Sequence, residues 1–180
     1  VSSAPNFDIA DNPRPGADGK VDMGAYESPD DFEPGPAQYV SRIIYVNKNT
    51  DENGDGSSWE KARSTISAGL EAASPLDEIW VASERYQESV RLEPGISVLG
   101  GFTGNESRKE ERNWTTNETI IDATGLNTHA VIGVNFATLD GFTITGGNDY
   151  WGGGVYCNFS SPTISNCIIT DNIGGALYCD

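Results

Sequence analysis

Three groups of residues in this chain have types and spacing that can do chemistry. Asp51-x-Asn53-x-Asp55-Gly56 puts oxygen ligands at alternate positions ahead of a glycine, the first half of a loop that wraps calcium. The place where such a loop carries a bidentate Glu holds Ala62, and Glu60 comes two residues early, so an Asp/Gly turn leading into a helix accounts for the same residues. Asn105, Asn113, Asn117 and Asn158 each begin an Asn-x-Ser/Thr triplet and are acceptors for N-linked glycan in a host that glycosylates. Tyr150-Trp151 lies between Gly147-Asn148-Asp149 and Gly152-Gly153-Gly154. Aromatic rings beside polar residues suit stacking on the apolar faces of sugars, with Tyr156 and Tyr178 extending the stripe. A loop folded back over the wall of the fold explains the pair equally well.

Acid–base catalysis finds little support. Abstraction of a proton next to a carboxylate needs a basic residue, and glycoside hydrolysis needs paired carboxylates. The last Lys or Arg is Arg112, and the region beyond it holds only Glu118, Asp122, Asp140, Asp149, Asp171 and Asp180 as charged residues. Asp140 and Asp171 read as turn residues, and His129, the one histidine, has no second ligand or base beside it in sequence. No catalytic residue is assigned, and no cofactor beyond calcium at the Asp51 loop. The 27 acidic and 11 basic side chains of the 180 residues give a formal charge of −16, which repels nucleic acid and anionic lipid surfaces. No apolar run reaches the roughly 20 residues of a membrane span.

The elements that must position these residues are short. Of 9 prolines, Pro5, Pro13, Pro15, Pro29, Pro34 and Pro36 fall early, so residues 1–37 read as an extended arm and linker. Within the arm, residues 21–27 alternate apolar with polar or small side chains and predict a short strand in need of a sheet edge, with Val21, Met23, Ala25 and Tyr26 as its contact residues. Residues 38–180 form the main domain. Ser57 and Glu60 make a capping-box pattern, and Trp59, Ala62, Arg63, Ile66, Leu70 and Ala73 recur at helical spacing, predicting one helix over about 58–73. Strands are predicted at 43–46, 78–82, 89–92, 96–99, 119–121, 130–134, 139–144, 155–157, 164–169 and 176–179, separated by Gly, Asn and Asp. The 21 glycines fit such a turn-rich β protein.

Self-similarity decides the architecture. Gly152-Gly153-Gly154-Val155-Tyr156-Cys157 recurs 22 residues later as Gly174-Gly175-Ala176-Leu177-Tyr178-Cys179, and residues 138–144 resemble 163–169 at an offset of 25. A period of this size with several short strands predicts an all-β, right-handed parallel β-helix, a solenoid of about four rungs with one N-terminal capping helix. Equivalent side chains would then form ladders, among them Asn148 over Asn172 and Cys157 over Cys179. For the cysteines, parallel side chains favour buried thiols over a disulfide.

Several motifs carry a family resemblance: Ile44-Tyr45-Val46, Gly54-Asp55-Gly56-Ser57-Ser58-Trp59, Asp77-Glu78-Ile79-Trp80-Val81-Ala82, Gly100-Gly101-Phe102-Thr103-Gly104, Asn113-Trp114-Thr115-Thr116-Asn117 and Leu139-Asp140-Gly141-Phe142-Thr143-Ile144. Together they resemble the N-terminal half of secreted bacterial β-helix proteins of the pectate-lyase-like superfamily. The Gly-Gly-Gly-Val-Tyr-Cys rung is similar to that of polymorphic outer-membrane proteins. Val21 to Glu27 resembles the segment that closes the C-terminal end of such domains, yet here it comes first. The resemblance implies an extracellular or cell-surface location and a structural or adhesive role. The order of segments leaves two explanations open: a piece of a longer tandem protein, or copies that assemble head to tail into a filament by donating the arm. Expected partners are therefore other copies or neighbouring modules, with polysaccharide or attached glycan in addition. The competing class is a carbohydrate-binding or degenerate polysaccharide lyase/hydrolase-like β-helix protein.

Overall fold

A computed structural model describes residues 40–50 and 53–180, of which Ser41–Asp180 form one compact unit. The arm residues Val21, Met23, Ala25 and Tyr26 lie outside the described residues. Thirteen short strands follow one another: β1 (Ile43–Val46), β2 (Glu78–Ala82), β3 (Arg85–Tyr86), β4 (Val90–Arg91), β5 (Ser97–Phe102), β6 (Ile120–Asp122), β7 (Val131–Ile132), β8 (Thr138–Asp140), β9 (Thr143–Thr145), β10 (Val155–Cys157), β11 (Thr163–Ser165), β12 (Ile168–Ile169) and β13 (Leu177–Cys179). From β2 onward the chain deals them in turn to three parallel sheets, ordered β1-β2-β5-β8-β11, β3-β6-β9-β12 and β4-β7-β10-β13. The described residues are thus all-β, built of parallel sheets with one short α-helix among them.

Register explains why strands of two or three residues hold. Ile44, Ile79, Val98, Leu139 and Ile164 pair in succession across the first sheet. Tyr86, Ile121, Ile144 and Ile169 do so across the second, and Val90, Val131, Val155 and Leu177 across the third. Apart from Leu177, these three columns meet in one buried cluster, with Ile164 and Ile169 packed against it partly buried. Each strand gains both its backbone partners and half its packing from the neighbouring pass of the chain.

Two predicted strands are each split by a corner. Residues 139–144 break between β8 and β9 because Gly141 takes φ +83°, and residues 164–169 break between β11 and β12 at Asn166, φ +50°. Both residue types tolerate the left-handed region, so the apolar run continues while the backbone turns. The strand β3 was not foreseen, since Arg85-Tyr86 carries no alternation of its own.

The predicted helix over 58–73 is also corrected. Trp59–Lys61 is a single 3₁₀ turn, and only Ile66–Ala72 (α1) is α-helical. Between them Arg63 pairs with Val46, donating its N–H to Tyr45 and accepting from Asn47 N, so the edge of β1 claims backbone groups a continuous helix would need. The capping box is not used: Ser57 bonds Asp55 through both N–H and hydroxyl. Thr65 caps α1 instead, accepting from Ala68 N, while Glu88 accepts from Ile66 N and Ser67 N at 2.8 and 2.9 Å. Ile66 and Leu70 are buried, and a Cβ on Gly69 would lie 2.7 Å from Val46 Cγ2, so α1 seats closely on the end of the core.

The asparagine ladder forms differently from expectation. Asn148 bridges to Ile173, not Asn172, and its Nδ2 donates to Asn127. Asn172 lies beside Gly147, accepting from its N–H and donating to the carbonyls of Ile144 and Thr170. The repeats are offset by 25 residues here, which puts Asn172 opposite Gly147 in register.

Ile144 sits fully buried in mid-column. Ile144→Ala should cost about 3 kcal/mol through lost burial and a residual cavity, read as a lower urea midpoint with an unchanged m-value.

Candidate functional site

The most chemically distinctive surface lies on the outer face of the third sheet. Its outward column runs Arg91, Ile132, Tyr156, Tyr178 in register. Tyr156 and Tyr178 stack at 5.6 Å and 13°. His129 stacks on Tyr156 at 4.3 Å and 5°, and Trp151 leans on Tyr178 at 5.3 Å, with Tyr150 edge-on to Trp151. The structure therefore brings the predicted Tyr150-Trp151 pair and the two tyrosines into one continuous aromatic surface. Tyr150 remains 79% and Trp151 55% exposed, so the loop rests on the wall without burying its rings. His129 holds that loop: Nδ1 is 3.1 Å from Gly152 O, and Nε2 is 3.9 Å from Asp149 Oδ2.

Beside this face runs a groove of about 420 Å³ lined by Arg91, Pro94, Asn135, Tyr156, Asn158 and Phe159 among others. Phe159 in that lining takes positive φ, 49°, as do Leu76 and Phe136 at 79° and 64°. Leu76, Phe136 and Phe159 are 64%, 84% and 78% exposed. Bulky side chains held left-handed and in water are unfavourable on both counts. Leu76 N donates to Gly95 O and Gly95 N to Phe136 O, so stacking of successive corners imposes the conformation. No local sequence signal marks Leu or Phe for such a turn.

The second polar centre is buried. Arg112, the last basic residue in the chain, reaches toward β8 from the loop before β6. Its guanidinium pairs with Asp140 and donates to Gly100 O at 3.1 Å, with both charged side chains only 11% exposed. Ser165 and Asn166 donate to the other Asp140 oxygen, the latter at 2.8 Å. Burial by itself raises the Asp140 pKa, but the hydrogen bonds from Ser165, Arg112 and Asn166 and the Arg112 charge outweigh it and hold the carboxyl below its usual range. Arg112 also lies 4.8 Å over the Trp114 ring. Each of these groups saturates the others, which makes the cluster a clamp between the loop and β8 and β11. Asp171, the other predicted turn acid, takes φ +55°.

In the proposed calcium loop, Asp51 lies outside the described residues. Asp55 is held by the Ser57 hydroxyl and N–H, which lower its pKa, and Gly56 takes φ +80° as the turn requires. Among the described residues no group of three His, Cys, Asp or Glu side chains is placed to hold a metal ion. Of the four sequon asparagines, Asn105, Asn113 and Asn158 are exposed, while Asn117 is half-buried and donates to Gly101 O.

Cys157 and Cys179 pair in register as free thiols. Only Cys157 is buried, and Cys179 is exposed, so a wholly buried thiol ladder is not what forms. Burial, then the adjacent Cys179 thiol, pushes the Cys157 pKa up to about 12. Cys167 is half-buried and free. Among the described residues no helix is long and apolar enough to cross a membrane.

No protein-family model matches the chain, and no curated protein or solved structure matches it either.

Because the folded Asp140 pKa is depressed, its contribution to stability is fully present above the ordinary carboxyl pKa of about 4 and is lost as pH falls through the lower folded value. Urea titrations between pH 7 and pH 2 should show this acid loss in the unaltered chain. Asp140→Asn should flatten that limb and cost about 3 kcal/mol at pH 7, since it leaves Arg112 charged and unpaired in a buried place.

Proposed function

We propose that this chain is a right-handed parallel β-helix module, of the pectate-lyase-like kind its sequence resembles, with a structural or adhesive role outside the cell. In this reading it continues end to end with like modules. The observation that carries it is the succession of β2 to β13 through three parallel sheets with their columns kept in register, which suits a stacked solenoid. The edge of such a parallel sheet is a template for further strands.

The donor we propose is the arm of another copy, with Val21, Met23, Ala25 and Tyr26 supplying the contact face. The clamp between Arg112 and Asp140 supports a non-catalytic reading, since neither group is left to act on a substrate.

The unaltered chain should form elongated particles whose length grows with concentration in negative-stain micrographs and sedimentation. Val21→Asp combined with Met23→Asp should return it to monomers with an unchanged circular dichroism spectrum. Monodisperse monomers of the unaltered chain at every concentration would overturn the reading.

A second reading, glycan contact, is favoured by the continuous surface of Tyr150, Trp151, Tyr178 and Tyr156. Stacked rings in register suit a linear sugar chain lying along the column. Trp151→Ala should weaken retention on a polysaccharide array at least tenfold if that surface binds sugar, and unaltered retention counts against it.

A further inference from the structure

Four Asn-x-Ser/Thr triplets look equivalent in sequence but are not equivalent in the folded chain. Transfer of a sugar to asparagine needs a reachable carboxamide and a hydroxyl two residues on that the rest of the fold has not tied up. Asn117 fails on both counts: its Nδ2 donates to Gly101 O, and the Thr119 hydroxyl, buried, accepts from Gly101 N at 2.9 Å. Asn158 is exposed, but Ser160 Oγ turns to the carbonyl of Gly133 at 3.0 Å. At Asn105 the carboxamide oxygen accepts from Thr103, upstream of it, and the following Glu106 is buried, tied to the N–H groups of Thr103, Gly104 and Asn105.

Asn113 is different. It is exposed, and its Oδ1 accepts from both Thr115 N at 3.1 Å and Thr115 Oγ1 at 2.7 Å. The triplet's own hydroxyl therefore bonds within the triplet, in an Asx turn. The backbone is fixed around it, with Asn113 N donating to Gly101 O and Asn117 N to Asn113 O. Next to it lies a groove of about 550 Å³ whose lining includes Trp114, Thr115, Glu118 and Asn166, an aromatic and hydrogen-bonding floor for the first sugars.

We propose that Asn113 is the site at which the folded chain accepts an N-linked glycan, and that the other three triplets are not used. In the transfer, the Asn113 Nδ2 lone pair forms a bond to the anomeric carbon of a lipid-diphosphate-linked oligosaccharide. The bond from that carbon to the diphosphate oxygen breaks, the lipid diphosphate leaves with the electron pair, and one Nδ2 proton passes to a base of the transferring enzyme. No oxidant or reductant is involved. The inference stands apart from end-to-end assembly, since it depends only on the loop before β6.

The test incubates the folded 180-residue chain with a purified single-subunit bacterial oligosaccharyltransferase and its lipid-linked oligosaccharide, followed by intact mass and glycopeptide mapping. One glycan, at Asn113, is expected. Asn113→Gln and Thr115→Ala should abolish the added mass, while Asn117→Gln and Asn158→Gln should leave it unchanged, with circular dichroism checking the fold of each. An unfolded peptide covering residues 100–122 tests whether geometry or sequence selects the site: Asn117, used in the peptide but not in the folded chain, supports selection by the fold. Glycan on Asn105, Asn117 or Asn158 of the folded chain, or none on Asn113, would overturn the proposal.

Discussion

In-register pairing of parallel strands is the constraint on which everything else in this molecule rests. Strands of two to six residues have no independent stability, and each persists because its neighbour in the next pass supplies both ladder partners and packing. Register then dictates what each face presents. Once Ile79 lies against Ile44 and Val98, the alternate residues Glu78 and Trp80 are committed to the outside of the first sheet. The same rule makes the outward face of the third sheet a column of Arg91, Ile132, Tyr156 and Tyr178, so its aromatic character is a by-product of the pairing that builds the core.

Outward apolar residues require a cover, and Trp59 provides it for the first sheet, held to the loop over residues 103–118 through Glu106 O. Trp80, Leu99 and Phe102 form a second buried cluster with Ile43, Tyr45 and Trp59 packed against it. Trp80 and Phe102 stack at 4.7 Å, and Trp59 Nε1 donates to Glu106 O. The loop is fixed at both ends by charge: Glu106 accepts from three successive N–H groups, and Arg112 enters the Asp140 clamp. Buried carboxylates are tolerated here because every one has partners, which offsets the loss of hydration. The geometry that singles out Asn113 is a consequence of this anchoring.

The ends follow a different logic from the sides. A column of apolar residues must stop somewhere, and α1 closes one end with Ile66 and Leu70 while Glu88 and Thr65 satisfy its first N–H groups. The proposed structural role rests on the sheets between, whose in-register columns repeat from one pass of the chain to the next.

The sequence by itself determined the class of the fold, the main strands, and the inward or outward assignment of Val155, Tyr156 and Cys157, because a repeat of 22 to 25 residues with period-two alternation leaves few other ways to bury the apolar set. It also marked Tyr150-Trp151 as exposed aromatics. Only the tertiary structure decided where the helix starts, since Arg63 pairs with Val46 of β1, well back in the chain, at a site no local pattern reveals. Only the tertiary structure brought Arg112 to Asp140, placed Leu76, Phe136 and Phe159 in left-handed corners, and told Asn113 apart from Asn117. The physical reason is common to all of them. Local sequence sets what a residue prefers, whereas stacking fixes which backbone groups and hydroxyls remain available, and that depends on contacts between passes of the chain far apart in sequence.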